Sequence, residues 1–273
     1  MQNILYCFDE NYNEQATVSI YSLLSKTREK LNFHIIHKNP KSFEGFMKLF
    51  SDNIYLNDIF FYEFKNKEYN FPNIKNSHVS EATYYRMFIS DYINDEFEQI
   101  LYIDPDVVCL NSFSNIISSI QKDLINYKFL VSVKTEHVKN KNNFEMFDRL
   151  SIDNKYFNAG VMSINLKMWK EHDFLSKLLK RSKLIEDKIV FWDQDVMNSE
   201  INGNYLELPV HLNQHPFETP GSNVHFQNNT IFLHYSGKNK PWTKKGFSSK
   251  NSIFYKNIYK ELFGKKFRIS RFK

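Results

Sequence analysis

Residues 99–110, Gln-Ile-Leu-Tyr-Ile-Asp-Pro-Asp-Val-Val-Cys-Leu, constrain the fold more than any other stretch of the chain. Two apolar, β-rich runs flank a turn that carries Asp104 and Asp106. A short apolar run of this kind reads as a buried strand, so two carboxylates at its carboxyl end need a reason. In open α/β sheets that end is where ligands bind. Two hard oxygen donors one residue apart suit a divalent cation that also holds a phosphate. Pro105 fixes φ and lacks an N–H, which favours a sharp turn between them. Taken as structure alone, the same residues are an Asp-Pro-Asp turn closing a strand without metal.

The flanking sequence alternates strand and helix patterns. Residues 3–8 predict a first strand, and Ala16, Ile20, Leu23 and Leu24 then share one helical face. Residues 33–37 and 59–64 predict further strands, separated by the helical spacing of Phe43, Phe46, Met47 and Phe50. Tyr85, Phe88, Ile89 and Tyr92 mark a helix leading into the strand at Gln99. Later strands are expected over 129–133, 161–165 and 231–234, and helices over 166–187, 194–201 and 253–263. This order predicts an α/β fold: one Rossmann-like, doubly wound sheet with helices on both faces and a short basic C-terminal extension. The first strand–helix turn, Asp9-Glu-Asn-Tyr-Asn13, contains no glycine, so a dinucleotide fingerprint is missing. Residues 209–229, rich in Pro, His and Asn, form a connection long enough to be a working loop.

The chain has 273 residues, 36 basic and 31 acidic, for a formal net charge of +5. Five of the basic residues, and none of the acidic ones, fall in the last ten positions. The body is therefore neutral, which argues against nucleic acid as a partner. The basic tail carries Phe267, Ile269 and Phe272, a pattern suited to peripheral contact with an anionic membrane; a disordered solubilising tail is the simpler alternative. Cys7 and Cys109 do not make a disulfide framework. With no signal-like start and no apolar run of the ~18 residues needed to span a bilayer, the expected location is cytoplasmic, with the inner face of the cytoplasmic membrane as the place of attachment.

Three further blocks carry candidate chemistry. His234-Tyr-Ser-Gly-Lys-Asn-Lys-Pro-Trp242 ends a short apolar run in a histidine followed by lysines. A neutral imidazole can complete a metal shell begun by Asp104 and Asp106, and a lysine is a point-charge partner for phosphate. Mg²⁺ or Mn²⁺ fits such a set, and the nitrogen donor tilts it toward Mn²⁺. In Tyr156-Phe-Asn-Ala-Gly160, small residues beside Asn158 would let a ligand approach the backbone, although Gly at a strand entry more often marks a bulge. In Phe191-Trp-Asp-Gln-Asp195, acidic and amide groups adjoin aromatics and either hold sugar hydroxyls or cap the following helix.

These blocks, together with Ile4-Leu-Tyr-Cys-Phe-Asp-Glu-Asn-Tyr12 and Ala82-Thr-Tyr-Tyr-Arg86, stand in an order that resembles glycosyltransferase family 8 over about residues 1–245. That family contains glycogenin and the retaining bacterial lipopolysaccharide and lipooligosaccharide glucosyl- and galactosyltransferases. The resemblance implies a GT-A-type domain over 1–250, with residues 251–273 as a C-terminal helix and tail. It implies that Asp9, Asn11 and Tyr12 contact uracil and ribose, and that Arg86 meets the donor sugar or diphosphate. Asp104, Asp106 and His234 would hold Mn²⁺, with Asp104 also touching the donor. Asn158, Ala159 and Asp193 would line the donor sugar. Gln194 would lie beneath the anomeric carbon, and Gly237 and Lys240 would grip the diphosphate. His78 stands where some bacterial members place a histidine near the acceptor. Glu10 replaces a common Asp, and Pro105 a usually non-proline residue.

The implied activity is metal-dependent transfer of glucose or galactose from a UDP-sugar to a glycan or lipid-linked acceptor, with retention of configuration. A sugar-nucleotide hydrolase, or a non-catalytic sugar-nucleotide-binding or membrane scaffold protein, would share part of this pattern. A nucleotidyltransferase would normally carry a Gly-rich phosphate loop, which residues 9–13 lack.

Overall fold

A computed structural model describes residues 1–65, 69–72, 80–216 and 223–269. Seven strands form one mixed sheet: β1 (Gln2–Phe8), β2 (Leu31–His37), β3 (Leu56–Glu63), β4 (Gln99–Ile103), β6 (Val131–Val138), β7 (Lys155–Asn165) and β8 (Leu206–Glu207), while β5 (Val107–Cys109) and β9 (Phe232–His234) make a separate two-stranded ribbon. The order across the main sheet is β3-β2-β1-β4-β7-β6-β8. Its first four strands are parallel, and β7 runs antiparallel to both neighbours. The expected α/β sheet is present, but β7 breaks its parallel run.

Helices cover both faces, and the period-two alternation of β1 shows how. Ile4, Tyr6 and Phe8 pack on one side with the helices Asn13–Lys26 and Ser114–Tyr127. Leu5 and Cys7 pack on the other with Phe174 and Leu178 of the helix Phe174–Leu184. A strand buried on both faces reads as a continuous apolar run, which is why this segment was recognisable. Each fully buried large side chain contributes roughly 1.5–3 kcal/mol relative to exposure.

Several local expectations change. The segment around Tyr85 is a 3₁₀ helix, Glu81–Phe88, followed by the short helix Ile89–Tyr92. β6 extends through the polar residues to Val138, and a helix at Phe144–Leu150 follows it. β7 begins at Lys155, so Asn158, Ala159 and Gly160 lie inside a buried central strand rather than at its entrance. The described part of the long 209–229 connection includes a bridge from Gln214 to Leu233 and a helix at Asn223–Asn229.

The C-terminal helix Ser252–Phe263 buries Phe254, Tyr255 and Tyr259 in a third cluster with Val18. Glu261 accepts a hydrogen bond from the Tyr21 hydroxyl at 2.9 Å. Phe267 packs against Tyr255 and Tyr259, so it is partly occupied in packing and not free to insert elsewhere. His78 and Phe272 lie outside the described residues. Among the described residues, no helix is long and apolar enough to cross a membrane.

Candidate active site

The site forms where β1 and β4 end beside the first half of the antiparallel β7 and the β5–β9 ribbon. Asp104 follows β4 and donates its N–H to Gly160 O at 2.8 Å, while Val107 N–H returns to Asp104 O at 3.1 Å and closes the turn. Pairing of Val107 with His234 then places the histidine opposite the acidic turn, 130 residues away in sequence. Asp104, Asp106 and His234 each offer a donor atom within 4.8 Å of the others.

These side chains fit a divalent cation. Asp106 is buried, and its Oδ1 lies 3.3 Å from His234 Nε2 without making a proper hydrogen bond. A buried carboxylate oxygen without a donor is costly, and a cation would satisfy it. The other ring nitrogen, Nδ1, contacts Asn213 Oδ1 at 2.9 Å. That oxygen can only accept, so Nδ1 carries the proton and the Nε2 lone pair faces the carboxylates. Gly160 makes room: a Cβ there would collide with the His234 ring and stand 3.0 Å from Asp104 Oδ2.

Lys240 donates to Asp106 Oδ2 and to Tyr235 O. Burial alone would raise the Asp106 pKa, but the Lys240 charge beside it holds it well below the usual carboxylate range. Burial works against the Lys240 charge, yet Asp106 keeps its pKa above the ordinary value. Lys240 is therefore first the partner of a metal-ligand candidate, and it also lines the cleft. Gly237 takes φ +75°, a left-handed turn that glycine adopts without strain, and bends the loop around the opening.

Next to Asp104, Arg86 is buried and fully engaged. Its Nε and Nη2 contact the two oxygens of Asp193, and its Nη1 donates to Asp104 Oδ1 at 3.0 Å and Ala159 O at 2.8 Å. Thr83 adds a hydrogen bond to Asp193 at 2.8 Å, and the Arg86 guanidinium lies 4.8 Å from the Tyr102 ring centre. Tyr102 in turn donates to Asp104 Oδ1. Burial raises the Asp193 pKa, with Arg86 opposing it; burial also opposes the Arg86 charge, but Asp193 and Asp104 keep its pKa far above normal. Asp193 was expected against the donor sugar and Arg86 against the sugar or the diphosphate, and the structure shows them first as a bidentate buried pair.

Asp195 is not a ligand-facing group. It is fully buried and accepts from Tyr156, Arg149 and the N–H groups of Val190 and Phe191. Gln194 lines the cleft, one step before it on the helix Trp192–Ile201. Trp192 opens that helix at φ +49°, an outlying conformation for a bulky side chain and of the kind that gathers at functional sites. Asn158 Oδ1 accepts from Gly160 N–H and Asn213 Nδ2, both at 3.0 Å, and its Nδ2 donates to Glu136 at 3.2 Å.

One cleft of about 420 Å³ collects almost all the expected residues. Asp9 and Tyr12 line its β1 end; Asp9 also accepts from Asn11 N–H at 3.0 Å and caps the 3₁₀ turn Glu10–Tyr12. Asn11 is exposed and Ala159 fully buried, and neither lines the cleft. Motif reading missed Tyr102, Tyr156 and Asn213. The two tyrosines lie inside the quoted blocks and were visible in principle, whereas Asn213 is marked only by its place in the 209–229 connection.

The family model described as glycosyl transferase family 8 matches residues 3–246. A lipopolysaccharide 1,2-glucosyltransferase of Escherichia coli is 28% identical over 94% of this chain and 77% of its own length. A lipopolysaccharide 1,3-galactosyltransferase of Salmonella typhimurium is 28% identical over 88% of this chain and 72% of its own. Among solved structures, the galactosyltransferase LgtC with donor and acceptor sugar analogues superposes with a TM-score of 0.73 at 21% identity, over 99% of this chain and 98% of that one. An active-site mutant of LgtC gives 0.76 at 22% identity with the same coverage.

Proposed function

The chain belongs to glycosyltransferase family 8, and from that premise we propose that it transfers glucose or galactose from a UDP-sugar, with retention, to a lipopolysaccharide or related surface-glycan acceptor. The observation that carries this reading is the Asp104–Asp106–His234 cluster sharing one cleft with Gln194. The sugar classes follow those named for the relatives from Escherichia coli and Salmonella typhimurium.

Asp104, Asp106 and His234 would hold Mn²⁺, or Mg²⁺, through two oxygens and one nitrogen. When bound, the ion supplies positive charge to the diphosphate leaving group. Tyr12 and Asp9 offer an aromatic face and a carboxylate for base and ribose at the β1 end. Lys240 and the Gly237 turn lie at the diphosphate end, where preorganised charge lowers the barrier to departure. Neither carboxylate next to Gln194 in sequence is free, since Asp193 is clamped by Arg86 and Asp195 is enclosed. Attack from the leaving-group face follows, with the departing phosphate taking the acceptor proton.

The basic end of the chain supports attachment at the inner membrane face. Lys265, Lys266 and Arg268 are exposed on either side of the packed Phe267, and such charges contribute ~1 kcal/mol each near anionic lipid. The reading as a whole is tested by incubating purified protein with radiolabelled UDP-glucose or UDP-galactose, lipid-extracted acceptors and Mn²⁺. Label should pass to the lipid fraction with one donor and stop with a chelator; release of free sugar alone would mean a hydrolase.

A further inference from the structure

Gln194 is locked by a hydrogen-bond chain whose direction is set at both ends. At one end Ala159 offers a backbone N–H, which can only donate, so the atom facing it at 3.0 Å is Gln194 Oε1. That places Nε2 against the Tyr156 hydroxyl at 2.9 Å, where it donates. At the other end Tyr156 gives its own proton to Asp195 Oδ1 at 2.7 Å. Asp195 Oδ2 is already filled by two backbone N–H groups and Arg149. Burial pushes the Tyr156 pKa well above its ordinary value, so the hydroxyl keeps its proton.

The geometry points to Tyr156 as a positioning residue for the transfer: by spending its proton on Asp195 it can only accept from residue 194, and so fixes the Gln194 amide in one orientation with its remaining N–H and oxygen lone pair toward the cleft. The chain also explains an amide at this position. A carboxylate at 194 would keep one oxygen on the Ala159 N–H and set the other against Tyr156, in competition with Asp195 for its single proton. This inference rests on the placement of Gln194 beside the reacting carbon.

The test is a double-mutant cycle of Tyr156→Phe and Gln194→Ala, with kcat and donor KM measured for all four proteins and folding checked by near-UV circular dichroism. Tyr156→Phe alone should lower kcat by about 10–100-fold, the scale of a misplaced reacting group, with donor KM within about twofold. In the Gln194→Ala background the same change should have no further effect on kcat. Equal losses in both backgrounds would overturn the positioning role while leaving the proposed transferase intact. Full activity in Gln194→Ala would instead remove the placement of Gln194, and this inference with it. A second readout needs no turnover: the Gln194 side-chain amide should give one slowly exchanging ¹H–¹⁵N pair that moves in Tyr156→Phe. An unmoved pair would also overturn the inference.

Discussion

Arg86 grips both oxygens of Asp193 across 107 residues of sequence, and the two side chains are 5% and 1% exposed. Removing Asp193 strips the buried Arg86 of its bidentate partner and leaves Asp104 as the remaining counter-charge, a loss that approaches the ~3–5 kcal/mol of a broken buried pair. Asp193→Ala should therefore lose roughly that much in urea unfolding at neutral pH, besides any loss of turnover. Arg86→Lys should also be damaging, because an ammonium cannot reproduce the bidentate contact with Asp193 while reaching Asp104. A change below about 1 kcal/mol in Asp193→Ala would place the pair in the range of screened surface bridges.

The metal cluster gives a sharper substitution than its own ligands do. Gly160→Ala adds one methyl group in the middle of β7, aimed at the His234 ring and Asp104 Oδ2. The strand conformation tolerates alanine, so the protein should fold with its secondary structure unchanged. His234 must move, and Mn²⁺ should then fail to raise the melting temperature as it does in the unaltered protein. A melting shift of the same size in both proteins would show that His234 does not bind the ion.

Much of this arrangement follows from sequence, and the exceptions have physical reasons. Ile4, Tyr6, Leu101 and Ile103 sit in runs apolar enough to mark their strands, and Asp104, Asp106 and His234 sit at the ends of such runs. Their meeting depends on the β5–β9 ribbon, a pairing between two three-residue strands that no local pattern announces. Arg86, Asp193 and Asp195 are charged residues in motifs, and charge alone does not reveal whether a partner comes from ligand or protein. Their partners lie 107 residues away for Arg86 and 39 for Asp195 with Tyr156. Asn213 is the extreme case: an amide in an irregular segment whose importance comes from the His234 nitrogen and the Asn158 oxygen beside it. The strand expected over 161–165 extends back to Lys155 through Asn158 and Gly160, residue types that disfavour strands, a preference overridden by burial between β4 and β6.

His34 supplies a pH test independent of the site. It is fully buried in β2, stacked on Phe60 with centroids 4.8 Å apart, and its Nδ1 lies 3.1 Å from the Tyr62 hydroxyl. Burial lowers its pKa to about 4, with Asp58 opposing weakly. Between pH 6.5 and 4 the unfolded chain binds a proton that the folded chain refuses, so stability rises with pH across this window. The contribution is complete above pH 6.5 and is lost as pH falls toward 4, at most about 3 kcal/mol. Urea midpoints at pH 7 and 4.5 should differ less in His34→Gln than in the unaltered protein. Equal differences would mean that His34 is not the group responsible.

The last expectation concerns the stereochemical course. Retention by double displacement needs a carboxylate close beneath the anomeric carbon. Asp193 offers no free oxygen, because Arg86 and Thr83 take both. Asp195 is enclosed, and reaching a sugar would require breaking contacts with Arg149, Tyr156 and two backbone N–H groups. Gln194 presents an amide, a poor nucleophile, at the position between them. An α-configured UDP-sugar should therefore give an α-linked product with no covalent sugar on the protein. Gln194→Ala should slow turnover by about 10–100-fold without abolishing it, since Lys240 and the metal-ligand set remain. Proton NMR of the new anomeric signal reads the configuration, and a β-linked product would overturn retention. Mass spectrometry of the quenched enzyme reads the intermediate. A hexose adduct on Asp193 or Asp195 would require that the Arg86 clamp or the Asp195 enclosure opens during the reaction, and would replace attack from the leaving-group face with double displacement.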